Sequence, residues 1–258
     1  MSRLLTRRGF LSGSAAGAGT LLLGGCDRLT QSDSVQRVLR LAESLTMGTQ
    51  RALLSGGALA REFGEADLSP IFKANGTSLP EGKDYARMMA TNFTDWRLSI
   101  DGLVRQPLSL SLAELKRLPS RTQITRHDCV EGWSAIGKWT GVPLSLLLQT
   151  AGLTTNARYA VFHCADALEQ TLDGSGRYYE SLDLADAFHP QTILAYGMNG
   201  ADLPVAHGAP LRLRVERQLG YKHAKYLMRI EVVDSFAQIG LGNGGFWEDR
   251  GYEWYAGI

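Results

Sequence analysis

Cys129 lies in the stretch TRHDCVEGWSAIGKWTGVPL, residues 125 to 144. A charged strip (Arg126, His127, Asp128) precedes it, and two tryptophans, Trp133 and Trp139, follow. Three chemistries are open to a thiol in that setting: a core thiol, half of a disulfide, or a metal ligand. A second cysteine, Cys164, directly follows His163. If Cys26 is modified in the leader, Cys129 and Cys164 form one even pair. In an oxidising compartment a bridge between them would contribute about 2–4 kcal/mol. His127, Cys129, His163 and Cys164 are also zinc-ligand types, but an H-x-C pair and an adjacent His-Cys do not match the usual zinc spacing.

The rest of the chain adds weight to the metal reading. The stretch around Cys129 resembles that around the molybdenum-binding cysteine of the sulfite oxidase family. The likeness continues in the same order through LAYGMNGADLPVAHGAPLRLRV and QLGYKHAKYLMRIEVVD, covering most of residues 70 to 255. In that family the metal takes two sulfurs from a pterin dithiolene and one from a protein thiolate, a soft ligand suited to such a centre. The resemblance therefore implies a molybdenum-molybdopterin cofactor, one molybdenum per chain, with Cys129 as its protein ligand. It implies that Arg212 and Lys225 hold the cofactor phosphate, with His207, His223 and Ala224 as further contacts. FHCAD aligns with a cofactor-contacting stretch, implicating Asp166 or Cys164. FKANG implicates Asn75, and WEDRGYEW makes Tyr252 the residue that would hydrogen-bond substrate.

The fold implied is α+β, a mixed-sheet sulfite-oxidase-type molybdopterin-binding domain, without a haem domain or a C-terminal dimerisation domain. Electrons then pass through a separate protein, a membrane haem protein or a c-type cytochrome. Sulfite-oxidising members gather arginines around the open coordination position, because sulfite is an anion. Ala74, Trp133 and Ser134 stand at the corresponding places here. Losing such clamps costs an anion about 2–5 kcal/mol. The form CVEGWS points instead to a neutral oxide, an organic or protein sulfoxide. Sulfite dehydrogenation is the second reading. A non-enzymatic lipoprotein with a Cys129–Cys164 disulfide is the reading from another class.

The elements that must position these residues are partly legible. Val35, Val38, Leu39, Leu41, Ala42 and Leu45 recur at helical spacing, predicting one or two helices over residues 34 to 63. FKANGTSLPEGKDY reads as loop. Residues 96 to 100 alternate as a half-buried strand ending in the turn Asp101-Gly102. Ser111 and Glu114 form a capping box, and Pro143 opens a helix. YAVFH, QTILAY, LRLRV and YLMRIEVVD read as strands, with a short helix at 183 to 187.

With 258 residues, 44% hydrophobic and 21% charged, the chain can bury a sizeable core. A net charge of +1 gives no electrostatic case for nucleic acid. At the N-terminus, TRRGFLS resembles a twin-arginine export signal, and LLGGC ending at Cys26 resembles a lipobox. The expected plan is a signal over 1–26, a helical spacer over 27–66 and the oxidoreductase domain over 67–258. The expected location is the periplasm, with membrane attachment only through lipid on Cys26.

Overall fold

The computed structural model describes residues 32–53, 57–171 and 176–258. Arg7, Arg8 and Cys26, which carry the export and lipidation readings, lie outside the described residues. Among the described residues no helix is long and apolar enough to cross a membrane.

Two compact units divide the chain at Leu53–Leu54. In the first, helix α1 (Asp33–Leu53) has the predicted amphipathic spacing. The helix stops earlier than the periodicity predicts. Ser55-Gly56-Gly57 follows it, and each glycine costs a helix about 1 kcal/mol. Residues 58 to 63 are not helical. Phe63 N donates to Ile124 O at 2.9 Å, and Glu62 bridges to Thr125.

The second unit holds two sheets. One has the strand order β2-β1-β10-β5-β6, from β1 (Arg97–Gly102), β2 (Leu108–Ser111), β5 (Tyr159–Ala167), β6 (Arg177–Asp183) and β10 (Leu227–Val233). Only the β1–β10 pair in it is parallel, so the sheet is mixed. The alternation in β1 works as expected, with Leu98 and Ile100 fully buried. They pack with Phe162, Leu227 and Ile230 in the main core.

The other sheet is antiparallel: β3 (Arg121–Asp128), β4 (Ser134–Pro143) and β7 (Thr192–Met198), with β8 (Ala201–Asp202) and β9 (Arg212–Val215) both paired to β7. Its small apolar cluster centres on Trp139, Ile193 and Met198. Helices close the layers: α2 (Lys83–Ala90), α3 (Leu112–Arg117), α4 (Leu144–Ala151) and α5 (Leu184–Ala187). Ser111 Oγ accepts from Glu114 N at 3.2 Å, and Glu114 returns the bond to Ser111 N at 2.8 Å, completing the capping box. Pro143 ends β4 and serves as the N-cap of α4, where a missing N–H costs nothing. Asp183 caps α5 by accepting from Asp186 N.

Candidate active site

Cys129 tops the β3–β4 hairpin. Its N–H donates to Trp133 O at 2.9 Å and its carbonyl accepts from Gly132 N at 3.0 Å, closing a five-residue turn. Gly132 has φ +83°, where a side chain would be strained. The thiol faces a cleft of about 150 Å³. Asn75, Cys129, Asp166, His223, Lys225 and Tyr252 all line this cleft, although they come from five separate stretches of sequence. Burial, and then the Glu131 carboxylate, hold the Cys129 thiol above its ordinary pKa. A soft metal would displace that proton, because only the thiolate ligates.

Behind the cleft lies a cluster of cations and imidazoles. Arg212 is fully buried; its Nη1 donates to His207 O at 3.0 Å and its Nη2 reaches His223 O at 3.4 Å. Burial and the neighbouring Arg214 bring its pKa down to about 9. Lys225 donates to the carbonyls of Asn75 (2.5 Å), Thr77 and Ala206 (3.3 Å). Burial and Arg212 lower its pKa to about 7. His207, edge-on to Phe72, is lowered to about 4 by burial and the same two cations. Asp166 is raised to about 6, chiefly by burial. Apart from Asp166 and Glu216, which pairs with Arg214, the cluster is one of buried positive charges that also depress one another, an arrangement that an anion relieves.

The histidine tautomers follow from their partners. Arginine only donates, so His127 Nδ1 accepts from Arg214 Nη1 (3.0 Å), which leaves the imidazole proton on Nε2. His223 Nε2 donates to Gln218 O (3.0 Å), leaving Nδ1 with a lone pair. Both rings are held well below their ordinary pKa, first by burial and then by Arg214, so both are neutral. His127 Nε2, His223 Nδ1, Arg212 Nε and Asp166 Oδ1 are buried and have no hydrogen-bond partner. Buried polar atoms are rarely left so. Of these residues His223 and Asp166 line the cleft, while His127 and Arg212 do not, and the unpartnered atoms of the first two mark the place of a polar ligand. Two unpartnered acceptors, the Lys225 ammonium and one thiol at the cleft, with Arg212 behind Lys225, suit a phosphorylated pterin dithiolene carrying a soft metal.

Other expectations need correcting. Cys164 lies in the main core, with Sγ 4.0 Å from Phe162 O, and does not line the cleft. Cys129 and Cys164 are both free, which removes the disulfide on which the scaffold reading depends. His163 and Cys164 are neighbours on β5 and so face opposite ways; His163 Nε2 pairs with Glu231 at 2.9 Å. Among the described residues no three His, Cys, Asp or Glu side chains converge on a metal position, so the zinc reading has no geometric basis. Ala224 is buried beneath the cleft, where its carbonyl accepts from Leu213 N. Trp133 and Ser134 do not line the cleft: Trp133 Nε1 bonds Glu131 (3.0 Å), and Ser134 Oγ bonds Asp128 (2.5 Å).

Sequence reasoning missed Glu131, Tyr178, Tyr221 and Trp247, which also line the cleft. Tyr252 stacks on Trp247 at 5.2 Å and meets Tyr221 edge-on at 5.3 Å. The aromatic run WEDRGYEW was the available signal for Trp247.

Comparison with known proteins agrees with this geometry. A protein of Azospira oryzae, YedZ1, whose name marks it as a candidate protein-methionine-sulfoxide reductase subunit, is 38% identical over 254 residues. That alignment covers 98% of this chain and 88% of YedZ1. The protein-methionine-sulfoxide reductase catalytic subunit MsrP of Gluconobacter oxydans is 40% identical over 147 residues, 54% of this chain and 47% of MsrP. The chain thus spans about half the length of the MsrP proteins that it matches. A looser likeness, with a TM-score of 0.49 and 26% identity, relates 55% of this chain to 39% of the sulfane dehydrogenase SoxCD from Paracoccus pantotrophus. Residues 85–238 match the oxidoreductase molybdopterin-binding domain, and with a relative this similar over nearly the whole chain, the protein belongs to that family, the sulfite oxidase family of molybdenum oxidoreductases.

Proposed function

We propose that the protein reduces an organic or protein-bound sulfoxide, with Cys129 as the ligand of a molybdopterin-bound molybdenum. The carrying observation is the convergence of Cys129, Lys225, Asp166 and His223 on one cleft, with Asp166 Oδ1 and His223 Nδ1 buried and unpartnered. Names of relatives support the substrate class, since YedZ1 and MsrP are both named for protein methionine sulfoxide. The overall reaction balances as R2S=O + 2 e⁻ + 2 H⁺ → R2S + H2O. When bound, the cofactor supplies the two-electron redox change and accepts the oxygen atom.

The chain's own residues would do the rest. Arg212 and Lys225 offset the phosphate charge, while His207 and Asn75 flank them. His127 Nε2–H and His223 Nδ1 offer a donor and an acceptor to the pterin, and Asp166 accepts from a ring N–H. Tyr252, at the cleft edge and 40% exposed, donates its hydroxyl to the sulfoxide oxygen. Trp247 and Tyr221 give the thioether body an apolar wall. Glu131 lines the same cleft beside Cys129 and repels an anion, which with Ala74 argues against sulfite.

Electrons would come from a separate electron-transfer protein, a membrane haem protein or a c-type cytochrome. We infer export by the twin-arginine route, with Cys26 as the site of lipid anchoring and α1 as a spacer; mass analysis of the mature N-terminus tests this. For the reaction, the test is metal and pterin analysis of wild-type and Cys129→Ser protein, with turnover on sulfite, methionine sulfoxide and small S- and N-oxides. Full molybdenum in Cys129→Ser, or faster turnover of sulfite than of any oxide, would overturn the reading.

A further inference from the structure

Lys222 is completely buried, and its Nζ donates to Glu248 Oε1 at 2.6 Å and to Glu180 Oε1. Both carboxylates are as buried as the ammonium. Two carboxylates against one ammonium leave a surplus negative charge in a dry interior, so the group retains a proton. Burial and then Glu248 push the Glu180 carboxyl well up, which places that proton on the pair. A Cβ on Gly245 would come within 2.0 Å of Glu248 Oε2 and 2.8 Å of Glu180 Oε1, so the close packing of the group depends on glycine there.

Each member sits beside a residue that faces the cleft. Glu180 follows Tyr178 by two positions on β6, Lys222 lies between Tyr221 and His223, and Glu248 directly follows Trp247. Trp247 in turn supports Tyr252, through ring stacking and through the Tyr252 N–H to Trp247 O bond at 3.0 Å. This C-terminal stretch contains no strand, only the single turn Glu248–Arg250. Main-chain bonds fix its ends, Phe246 N to Tyr179 O (3.0 Å) and Leu219 N to Ala256 O (2.9 Å). The amides of 249 to 252 bond only within their own turn, so the placement of that turn rests on side-chain attachments, those of Glu248, Asp249 and Arg250.

We propose that Lys222 is a positioning residue. By binding Glu180 and Glu248 together it holds the Trp247–Tyr252 stack against Tyr221, and so fixes the wall that substrate meets. This rests on the reading of the cleft as a substrate site, but the clamp itself can be tested without turnover.

The experiment uses cofactor-loaded protein and compares wild type with Lys222→Met, Glu248→Gln, Glu180→Gln and Lys116→Met. Hydrogen exchange of the amides at 249 to 252 should speed up about tenfold in Lys222→Met, while β1 amides stay protected. KM for the sulfoxide should rise about fivefold, with kcat within about twofold and molybdenum content unchanged. If Lys222→Met does not fold, Glu248→Gln carries the test, with about threefold faster exchange at the same amides. Glu180→Gln should keep exchange slow, because the remaining Lys222–Glu248 pair closes at zero net charge. Lys116→Met severs the Lys116–Asp202 pair (2.7 Å) and the contact with the Tyr196 ring, neither of which lines the cleft, and should move neither readout. Unchanged exchange in both Lys222→Met and Glu248→Gln would overturn the proposal, as would an equal response in Lys116→Met. A wild type without sulfoxide turnover would defeat the functional reading and leave the exchange result to decide the clamp.

Discussion

Lys225 Nζ donates to the main-chain oxygen of Asn75 at 2.5 Å, joining stretches 150 residues apart. Tyr226 OH secures the same loop through Thr77 O at 2.9 Å. The loop carrying Asn75 has no secondary structure of its own, so this ammonium both positions it and supplies charge to the cleft. Lys225→Met should lower molybdenum content to about a tenth of wild type, because a charge-assisted contact to phosphate and the loop anchor go together. Metal analysis of folded protein, verified by circular dichroism, measures it. Wild-type content would remove Lys225 from the cofactor site.

The same lysine predicts a pH dependence. Its pKa is about 7 in the folded protein against an ordinary 10.5. Between those values the unfolded chain binds more protons, so without an anion the folded state gains stability as pH rises through this window; below pH 7 the cost is full. A bound anion offsets that cost most where Lys225 is charged. Pyrophosphate should therefore raise the Tm of cofactor-free protein more at pH 6 than at pH 9, by about 3 °C. Equal shifts at the two pH values would contradict the assignment.

Of the FHCAD stretch only Asp166 lines the cleft, and Cys164 lies in the main core. Cys164→Ala should keep full molybdenum and lose about 1–2 kcal/mol of stability, the cost of a small buried truncation. Denaturant melts with metal analysis separate it from Cys129→Ser.

The limits of the sequence follow from which interactions are local. The Ser111 capping box, the β1 alternation and the Pro143 start of α4 depend on residues a few positions apart, and all were legible. The β3 face was not. Gln123, Thr125 and His127 alternate as core positions, yet they are polar and buried. Gln123 donates to Glu216 at 2.8 Å, Glu216 pairs with Arg214, and Arg214 donates to His127. A chain of partners drawn from β3 and the stretch around β9 leaves no periodic trace. Trp133 failed for a related reason. Where its ring points is set by Glu131, Phe72 and His127, none of which its place in the sequence reveals. Glu131, which nothing in the sequence singles out, is the residue of this turn that lines the cleft with Cys129 and Val130.

That carboxylate makes selectivity testable. Hydrogen bonding from Trp133 and the charge of Lys73 lower its pKa, so it is ionised across the working range. Glu131→Gln should lower KM for sulfite about threefold and leave KM for a neutral sulfoxide nearly unchanged. An equal effect on both substrates would mean that the charge acts through loop structure rather than by repulsion.

Gly220 offers the sharpest steric test of the cradle. A Cβ there would lie 2.5 Å from His127 Nε2 and 3.2 Å from Asp128 O, so the ring or the hairpin end must move. His127 sits two residues before Cys129, and its Nε2–H is one of the unpartnered donors. Gly220→Ala should fold, since the change is one methyl at a cleft wall, with a stability loss of about 1–3 kcal/mol from overpacking. Molybdenum content should fall further than that loss explains, because the imidazole is displaced together with the hairpin that presents the thiol. His127→Ala in the same background should restore part of the metal if the clash with the ring is the cause. Were the double variant as metal-poor as a molybdenum-free Cys129→Ser, the ring itself would be the indispensable contact. Either result ranks the steric and the hydrogen-bonding roles of His127.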